Sequence, residues 1–594
     1  MLKRSLLSLT ILLYISGCTL DGDDGVNGTT GPQGAAGIEG KVGSDGLDAT
    51  TSLDIVLVGR AVLGAEDPEG AAEIVAFQKS KGWVYAINSS ASPAVVEIID
   101  INGIDGAALT SDAEGIITNT NLSSAITLNL SIDAEDNAPD ANSIAIDDNN
   151  EILAVAMAGE PGTNGNIAFY DISGANPVFV KNVEVGDLPD MVAFSPDGSK
   201  VIVANEGEPS GDYKTDPEGS ISIINLTSGI PADTAINISF KAYNDKKAEL
   251  QAQGVVFASP SGTTVAQDLE PEYVTISENG ETAYVSMQEA NALAVVNLND
   301  NSVKVIGLGF KDWSDLVIDV SDKDGGMNLK NYPGLYGMYQ PDTIANFKWK
   351  GADFIVTANE GDGREYLFDV ADEAACSSAG GLDYDEDDGC LSFIDEIRVE
   401  DLALSANFDY TTNDDAGIGR LKVTTFLGAD DGSTDGSGTY SELYTYGARS
   451  FTIWDSNGLV VFDSGDEIER ITASIHGEAF NNDEDENEGD TRSDAKGPEP
   501  EALALGTIGT QTYAFVGLER MGGIMVYDIT NPYNSQFVDY FYNRGTVEGA
   551  DYTGDLAPEG MKFISAEDSP TGEALLVIGN EISGSVAIWE IKQQ

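Results

Sequence analysis

The 594-residue sequence predicts an all-β fold, and three observations support this class. Runs of β-branched and aromatic residues alternate with Gly, Asp, Asn and Pro, which is the pattern of strands joined by turns. Helical periodicity is nearly absent. A three-part phrase also repeats from residue 50 onward, and repeated small antiparallel sheets are typical of a β-propeller. The prediction is therefore a propeller of seven or eight blades that spans residues 50–594.

Each part of the phrase has its own signature. The first part is an apolar strand that often opens with proline and a carboxylate, as in PDMVAFSPDG, PEYVTISENG and PEPEALALG. The second is a strand that often ends near a glutamate, as in KVIVANEGE and LLVIGNE, and the third ends in an acid or amide, as in SVAIWEI. Seven copies start near residues 72, 142, 190, 272, 342, 501 and 559.

One stretch interrupts this order. The interval between residues 370 and 500 is too long for one loop, and it contains GRLKVTTFLG and SFTIWDSNGLVVFDSG. It predicts an eighth, degenerate blade or an inserted layer of hairpins at about residues 371–497. Two β-sandwich domains are the alternative architecture, which the lack of a dividing linker disfavours.

The N-terminal residues predict export and a lipid anchor. Lys3 and Arg4 precede a short apolar run that cannot span a bilayer as a mature helix. The sequence Ile-Ser-Gly-Cys that ends at Cys18 resembles the lipobox of bacterial lipoproteins, and Thr19 favours the outer membrane. We expect residues 1–17 to be a lipoprotein signal peptide and lipid on Cys18 to attach the protein to the outer membrane, facing the periplasm or the cell surface. An ordinary signal peptide with a chance cysteine is the alternative.

Residues 18–49 contain glycine at every third position from Gly22 to Gly46. A collagen triple helix needs this spacing because only glycine fits at its axis. Only Pro32 supplies a ring in this repeat, so a flexible or polyproline-like stalk is an equal alternative. Either form predicts a collagen-like spacer that holds the propeller away from a membrane, and a homotrimer through this segment stays open.

Charge limits the classes of partner that the sequence predicts, and the cysteine content indicates a disulfide. With 100 acidic and 30 basic residues the net charge is −70, which disfavours nucleic acid because binding to phosphates depends on Lys and Arg. Most of these carboxylates are expected to form a solvated surface. Cys376 and Cys390 are the cysteines that follow Cys18, and an exported location favours a disulfide between them. A metal pair is less favoured because the loop has no histidine.

Two sets of carboxylates recur at equivalent places in successive phrases. Blades are related by rotation, so equivalent positions form rings at the channel mouth, and such rings repel unless cations or arginines lie between them. The alternatives are turn chemistry and exposed strand ends. The first set is Asp190, Glu272, Asp342, Glu501 and Glu559, and the second is Glu206, Glu289, Glu360, Glu519 and Glu581.

Oxygen ligands of this kind suit Ca²⁺, which is the expected cofactor. The segments DYDEDDG and DEDENEG also place acids or Asn at alternate positions before glycine, although neither matches a full EF-hand loop. Three arginines lie inside or beside the carboxylate motifs and are candidate ligand-binding residues. The loop candidates are Asp383, Asp385, Asp387, Asp483, Asp485 and Asn487, and the arginines are Arg364, Arg449 and Arg520.

Several longer stretches resemble one known family. They include LPDMVAFSPDGSKVIVANEGEPSGDYKTDPEGSISII, TRSDAKGPEPEALALG and YAFVGLERMGGIMVYDITNP. The chain from about residue 50 is similar to the choice-of-anchor I family. This resemblance implies an extracytoplasmic β-propeller held by differing anchors, and it supplies no catalytic residues. The glycine repeat lies outside it.

Two functions remain open at this point. The first is a surface-tethered binding or adhesion module that depends on Ca²⁺ and engages a surface polysaccharide or protein. The alternative is a calcium-dependent phosphoesterase in which the same carboxylates hold the ions and Arg364 or Arg520 holds the phosphate ester. Whether the protein is an enzyme is not decided by the sequence. We favour the binding module, since no nucleophile motif is present.

Overall fold

We describe a computed structural model of the protein over residues 52–64, 68–130, 140–386, 388–406, 408, 414–483 and 487–594. The predicted signal peptide, Cys18 and the glycine repeat lie outside these residues.

The described residues form seven four-stranded antiparallel sheets, which we call blades one to seven in chain order. In each blade the first strand of the repeated phrase is innermost, because it contacts the first strands of the two neighbouring blades. Blade three carries an additional short strand, Ile230–Pro231. From the innermost strand outwards, the strands are Val75–Gln78, Trp83–Asn88, Val95–Asp100 and Ser124–Asn129 in blade one; Asp140–Asp147, Ile152–Ala158, Asn164–Asp171 and Val178–Asp187 in blade two; Pro189–Phe194, Lys200–Asn205, Ser220–Thr227 and Ile236–Ser239 in blade three; Val274–Ile276, Thr282–Met287, Ala292–Asn297 and Ser302–Gly307 in blade four; Ile344–Trp349, Ala352–Asn359, Ser450–Asp455 and Val460–Asp463 in blade five; Pro500–Ile508, Gln511–Leu518, Ile524–Asp528 and Gln536–Phe541 in blade six; and Pro558–Ile564, Ala574–Asn580, Ser585–Gln593 and Leu53–Val62 in blade seven.

The seven blades close into a ring. Blade one contacts blade seven through their innermost strands, just as the consecutive blades contact one another. The outermost strand of blade seven is Leu53–Val62, the first strand of the described residues, which pairs antiparallel with the C-terminal strand Ser585–Gln593 so that Leu53 lies opposite Gln593. The predicted β-propeller is confirmed. Within the described ranges it has seven blades rather than eight.

Side chains of the second strands point alternately to the two neighbouring blades, and this explains how the blades pack. In Ile152–Ala158 every residue is buried. Leu153 and Val155 pack with side chains of blade one, whereas Ala154 and Ala156 pack with side chains of blade three. Because successive residues of a strand point to opposite faces, a strand between two blades must be apolar at every position. This accounts for the continuous apolar runs in the second part of the phrase.

Blade five is interrupted between its second and third strands. Its second strand ends at Asn359 and pairs there with Ser450 of the third strand, so the chain between them, residues 360–449, is inserted. The predicted bounds of about 371–497 are therefore wrong. SFTIWD and VVFD, read from sequence as part of the insertion, are the third and fourth strands of blade five.

The insertion builds small sheets beside the propeller, as the hairpin-layer alternative predicted. Strands 310–312 and 335–338, which precede blade five, join the largest of these sheets. The five-stranded sheet contains Phe310–Asp312, Leu335–Met338, Leu443–Thr445, Lys422–Thr424 and Glu396–Arg398; the three-stranded sheet contains Glu365–Phe368, Gly389–Ile394 and Asp383–Asp385; and two-stranded pairs join Ala403–Leu404 to Thr439–Tyr440 and, between blades six and seven, Arg544–Gly545 to Thr553–Gly554.

Helices are short and few in the described chain. The α-helices are α1 Lys247–Gln251, α2 Val265–Asp268, α3 Glu373–Ala379 and α4 Glu467–His476, and 3-10 turns occupy Lys241–Lys246, Val399–Asp401, Ile418–Arg420 and Gly477–Ala479. None of the helices in the described ranges has the length and apolar character that crossing a bilayer requires.

The predicted disulfide is confirmed. Cys376 in α3 is bonded to Cys390 in the strand Gly389–Ile394, with 5.4 Å between their Cα atoms. Both cysteines are buried. Asp372 caps the N-terminus of α3: its carboxylate accepts a hydrogen bond of 2.8 Å from the Ala375 amide, which satisfies one of the free N–H groups of the helix. The disulfide therefore fixes α3 to the inserted three-stranded sheet.

Candidate metal site at the channel mouth

In blades three, six and seven one backbone hydrogen bond joins the two segments that carry the recurring carboxylates. The residue before the proline has a left-handed backbone, which is uncommon outside glycine. In blades three, six and seven its carbonyl accepts a hydrogen bond from the amide of the glutamate that follows the second strand, whereas in blade five the donor is the Gly361 amide, at 3.2 Å. The φ values are 44° at Leu188, 41° at Gln340, 51° at Glu499 and 61° at Ala557, and the bonds run from Glu206 to Leu188 at 2.8 Å, from Glu519 to Glu499 at 2.9 Å and from Glu581 to Ala557 at 2.8 Å.

The asparagine that precedes the glutamate in the second part has a structural role. Asn205 donates to the Ser222 hydroxyl at 3.0 Å, and Asn359 donates to the Thr452 hydroxyl at 2.8 Å. Both asparagines are fully buried. Each therefore holds the end of its second strand against the third strand, and the glutamate after it is delivered at a fixed place.

These acids surround a cavity of about 300 Å³ on the axis of the ring. Residues at or next to the start of all seven innermost strands line it, in blade order Ile74, Asn142, Met191, Tyr273, Thr343, Glu501 and Glu559. Ten carboxylates belong to the lining: Asp190, Glu206, Glu208, Glu272, Glu289, Asp342, Glu360, Asp362, Glu501 and Glu559.

Eight of these ten come from the two sets that the sequence singled out. Glu519 and Glu581 are outside the lining, although they share the backbone arrangement described above. Sequence reasoning missed Glu208 and Asp362, which follow Glu206 and Glu360 by two residues in NEGE and NEGD. The second acid in both motifs was the signal that could have identified them.

Three trios of carboxylates have oxygen atoms within 4.8 Å of one another: Glu206–Glu272–Glu289, Asp342–Glu360–Glu501 and Glu360–Glu499–Glu519. In the first, Glu272 is 8% exposed. One carboxylate oxygen of Glu272 and one of Glu289 are buried without a hydrogen-bond partner. Buried acceptors without partners are unfavourable, so this trio has capacity for a ligand.

Burial and mutual repulsion determine the protonation of these acids. Burial raises the pKa of Glu206 and Glu272 well above the usual range, and the charges of neighbouring carboxylates raise it further. Burial likewise raises the pKa of Asp190 and Glu208 to about 7, with the charge of Glu289 adding to it. The cavity can therefore bind either protons or cations near neutral pH.

Basic side chains lie beside another part of the channel mouth, near blades five and six. The Lys496 ammonium lies 2.8 Å from Glu360 and 3.5 Å from Glu499, and Arg492 and Arg520 reach Glu499 at 2.8 and 3.1 Å. Burial alone would raise the pKa of Glu499, but these three positive charges hold it at about 2. Sequence reasoning missed Lys496, Arg492 and Glu499, because the sequence alone does not show that they meet.

The three predicted arginines are placed differently from one another. Arg364 is buried, forms an ion pair with Glu270 and lies 3.7 Å from Asp268. Arg449 is buried too and binds Glu469 at 2.5 Å. Neither lines the cavity. Arg520 lies beside it and bridges Glu499 and Glu519, which it reaches at 3.2 Å.

The two acidic loop segments do not join the channel mouth. Asp383 and Asp385 lie exposed on a strand of the inserted three-stranded sheet. The Asn487 side-chain oxygen accepts a hydrogen bond of 3.1 Å from Arg544, so it faces a positive charge. Asp483 lies nearby, where its backbone carbonyl also accepts from Arg544. Asp387 and Asp485 lie outside the described residues, and none of the described loop acids belongs to a carboxylate trio.

The chain is similar in sequence to known proteins. Residues 73–532 match the sequence model of the choice-of-anchor I domain. Gigasin-3a of Magallana gigas is 30% identical over 192 residues, which are 30% of this chain and 66% of that protein. The mesenchyme-specific cell surface glycoprotein of Strongylocentrotus purpuratus is 26% identical over 309 residues, which are 48% of this chain and 39% of that protein. The chain thus spans less than two thirds of either relative.

Solved structures with similarity to this chain include two propeller domains. The β-propeller domain of Myceliophteria thermophila Cps50 (Swd1) has a TM-score of 0.38 at 8% identity and covers 88% of this chain and 97% of its own. The WD40 domain of Toxoplasma gondii coronin has a TM-score of 0.42 at 8% identity and covers 92% of this chain and 87% of its own.

Proposed function

The chain belongs to the choice-of-anchor I family, and we propose that it is a surface-associated propeller that binds Ca²⁺ at its channel mouth and uses the bound ion to engage a partner. The single observation that carries this proposal is the trio Glu206–Glu272–Glu289, whose oxygens lie within 4.8 Å of one another. Glu272 contributes a buried oxygen that has no partner.

The chemistry of the cavity favours Ca²⁺ over other metal ions. Its charged lining consists of carboxylates alone, and Ca²⁺ takes six to eight oxygen ligands in flexible geometry. Transition metals prefer imidazole or thiolate, whereas the only histidine is His476 and both described cysteines are in a disulfide. Burial and mutual repulsion raise the pKa of these acids, and a divalent cation would offset the repulsion.

The partner we propose presents oxygen groups of its own. A Ca²⁺ ion held by one trio keeps coordination positions for carboxylates or hydroxyls of a surface polysaccharide or a protein. We favour the phosphoesterase alternative less, because Arg364 and Arg520, which would hold the phosphate ester, already pair with carboxylates. Ca²⁺-dependent binding without catalysis is therefore the function we favour.

We propose further that a lipid on Cys18 tethers the propeller to the outer membrane through the spacer of residues 18–49. The lipobox-like sequence before Cys18 supports this, and two or more acyl chains would make the attachment stable. Cys18→Ser should release the protein from membranes without changing its melting temperature. A variant that still sediments with membranes would show a second attachment.

Calorimetric titration of the metal-free protein with Ca²⁺ tests the central claim. We expect Ca²⁺ to bind and Glu272→Gln to weaken binding at least tenfold, because the change removes a carboxylate ligand whose buried oxygen has no other partner. Glu278→Gln is the matched control, since Glu278 is an exposed residue in the turn that follows the innermost strand of the same blade. Equal affinities for the two variants, or no binding by the wild-type protein, would contradict the proposal.

A further inference from the structure

Resting on the proposed function, we infer that Lys496 is a built-in counter-cation that occupies a second cation position at the channel mouth. The protein then binds one Ca²⁺, at Glu206–Glu272–Glu289, and the side of the cavity near blades five and six is neutralised by its own lysine. The inference is argued from three features: the surroundings of Lys496, the contrast with the first trio, and the support of the loop that carries it.

The ammonium of Lys496 has the surroundings of a bound cation. Its distances are 2.8 Å to Glu360, 3.4 Å to Asp362 and 3.5 Å to Glu499, and its side chain is 15% exposed. Ca²⁺–oxygen distances are about 2.3–2.6 Å, so shifts of about 1 Å or less would bring these same oxygens to an ion at that point. Lys496 and a metal ion therefore compete for one position.

The second trio has no free oxygen on its central member. One oxygen of Glu360 receives Lys496, and the other accepts a hydrogen bond of 2.9 Å from Gln288. Glu360 belongs to both trios on this side. As long as Lys496 stays in place, neither of these trios offers a complete set of ligands.

The first trio differs in that it contains no basic partner. Within the described chain, Glu206, Glu272 and Glu289 form no ion pair, and two of them carry buried oxygens without a hydrogen bond. Arg364 lies close enough to interact with Glu289, but it pairs with Glu270. Of the three trios only this one lacks a basic partner within the described residues, so we place the ion there, at blades three and four.

A buried arginine holds the loop that delivers Lys496. Arg449 donates to the carbonyls of Ser493 and Ala495 at 2.9 and 2.7 Å. Gly497, directly after the lysine, has φ +68°, and a Cβ there would lie 2.9 Å from the Arg449 guanidinium. A lysine on a mobile surface loop would not have such close packing of its neighbour against a buried ion pair. It shows that the ammonium is positioned by the fold.

The number of Ca²⁺ ions bound per protein molecule tests this inference. By calorimetry the wild-type protein should bind one ion, and Lys496→Met should bind two, with the second lost when Glu360→Gln is added. Lys304→Met removes the same charge from an exposed position on the outermost strand of blade four and should still bind one ion. Lys496→Arg, which keeps the positive charge, should also bind one.

The outcomes separate the two claims. A folded Lys496→Met protein that still binds a single ion would overturn the role of Lys496 and leave the proposed function standing. A wild-type protein that binds no Ca²⁺ would overturn the proposed function and the one-ion inference together. If Lys496→Met fails to fold, anomalous scattering from a wild-type crystal soaked in Tb³⁺ decides: we expect one ion at the first trio, and an ion bound to Glu360 beside Lys496 would refute the inference.

Discussion

At the scale of single residues, the sequence predicted most of the carboxylate ring but, of the basic residues that neutralise it, only Arg520. Asp190 and Glu206 could be recognised because the same acid returns at the same place in other phrases. Lys496 lies in a loop outside the repeats and has no equivalent in the other phrases. It contacts Glu360, which is 136 residues away in sequence. A contact made by a single residue leaves no periodic signal, so only the fold could identify it.

Arg449 illustrates a second limit at this scale. The sequence placed it beside a carboxylate motif and suggested a ligand-binding role. In the fold it is 1% exposed and hydrogen-bonds to Glu469 and to loop carbonyls. An arginine has the same signature in sequence whether it faces a ligand or supports a loop, because burial depends on the packing of distant segments.

His476 permits a residue-scale prediction, because it is the only histidine. Burial, together with the charge of Arg544, lowers its pKa from 6.5 to about 4. Its Nε2 lies 3.0 Å from the Tyr540 hydroxyl, which itself donates to the Gly522 carbonyl at 2.6 Å. His476 is therefore expected to be neutral and to donate from Nε2.

The sign of the pH effect follows from these values. Between pH 6.5 and about 4 the unfolded chain takes up a proton at His476 and the folded chain does not, so this residue lowers the free energy of unfolding as the pH falls through that range. Above pH 6.5 it has no such effect. NMR titration of the single imidazole should give a midpoint near 4 in the folded protein and near 6.5 in urea; a folded midpoint near 6.5 would contradict the prediction.

At the scale of elements, strand identity was predictable and strand partnership was not. Residues 450–455 have the apolar alternation of a third strand, but the second strand to which they pair ends 91 residues earlier, at Asn359. Assigning the repeated phrases to blades in sequence order therefore left blade five incomplete and suggested an eighth blade. Register in a sheet is set by pairing, and pairing across a long insertion cannot be read from local pattern.

The short helix α4 shows how an element outside the repeats supports the site. It follows blade five and contributes Glu469, which pairs with Arg449, and Asn481 beyond the helix donates to Glu469 at 3.3 Å and to Ser493 at 3.0 Å. The helix thus stabilises the loop that carries Arg492 and Lys496. The candidate site depends on this segment as much as on the blades, although it lies in the stretch that sequence reasoning assigned to the insertion.

At the scale of the whole molecule, one strand both closes the ring and follows the predicted spacer. Leu53–Val62 forms the outer edge of blade seven, and Leu57, Val58 and Ala61 are at most 2% exposed. Arg60 from the same strand forms a buried ion pair of 2.6 Å with Asp555, which also accepts a hydrogen bond from Ser585. Closure therefore contributes apolar burial, an ion pair and a ladder of backbone hydrogen bonds.

Truncation at either end of this strand tests the closure and its separation from the spacer. Residues 52–594 should melt at the temperature of the full chain, because residues 18–49 have no apolar periodicity and are expected to make no core contact. Residues 63–594 should melt at least 10 °C lower or aggregate, since burying Leu57 and Val58 alone is worth about 3–6 kcal/mol and the C-terminal strand would become an exposed edge. Scanning calorimetry makes the comparison. Equal melting of the two truncated chains would show that the ring holds without its closing strand, whereas a lower midpoint for residues 52–594 than for the full chain would show that the glycine repeat supports the propeller, most simply by trimerising it.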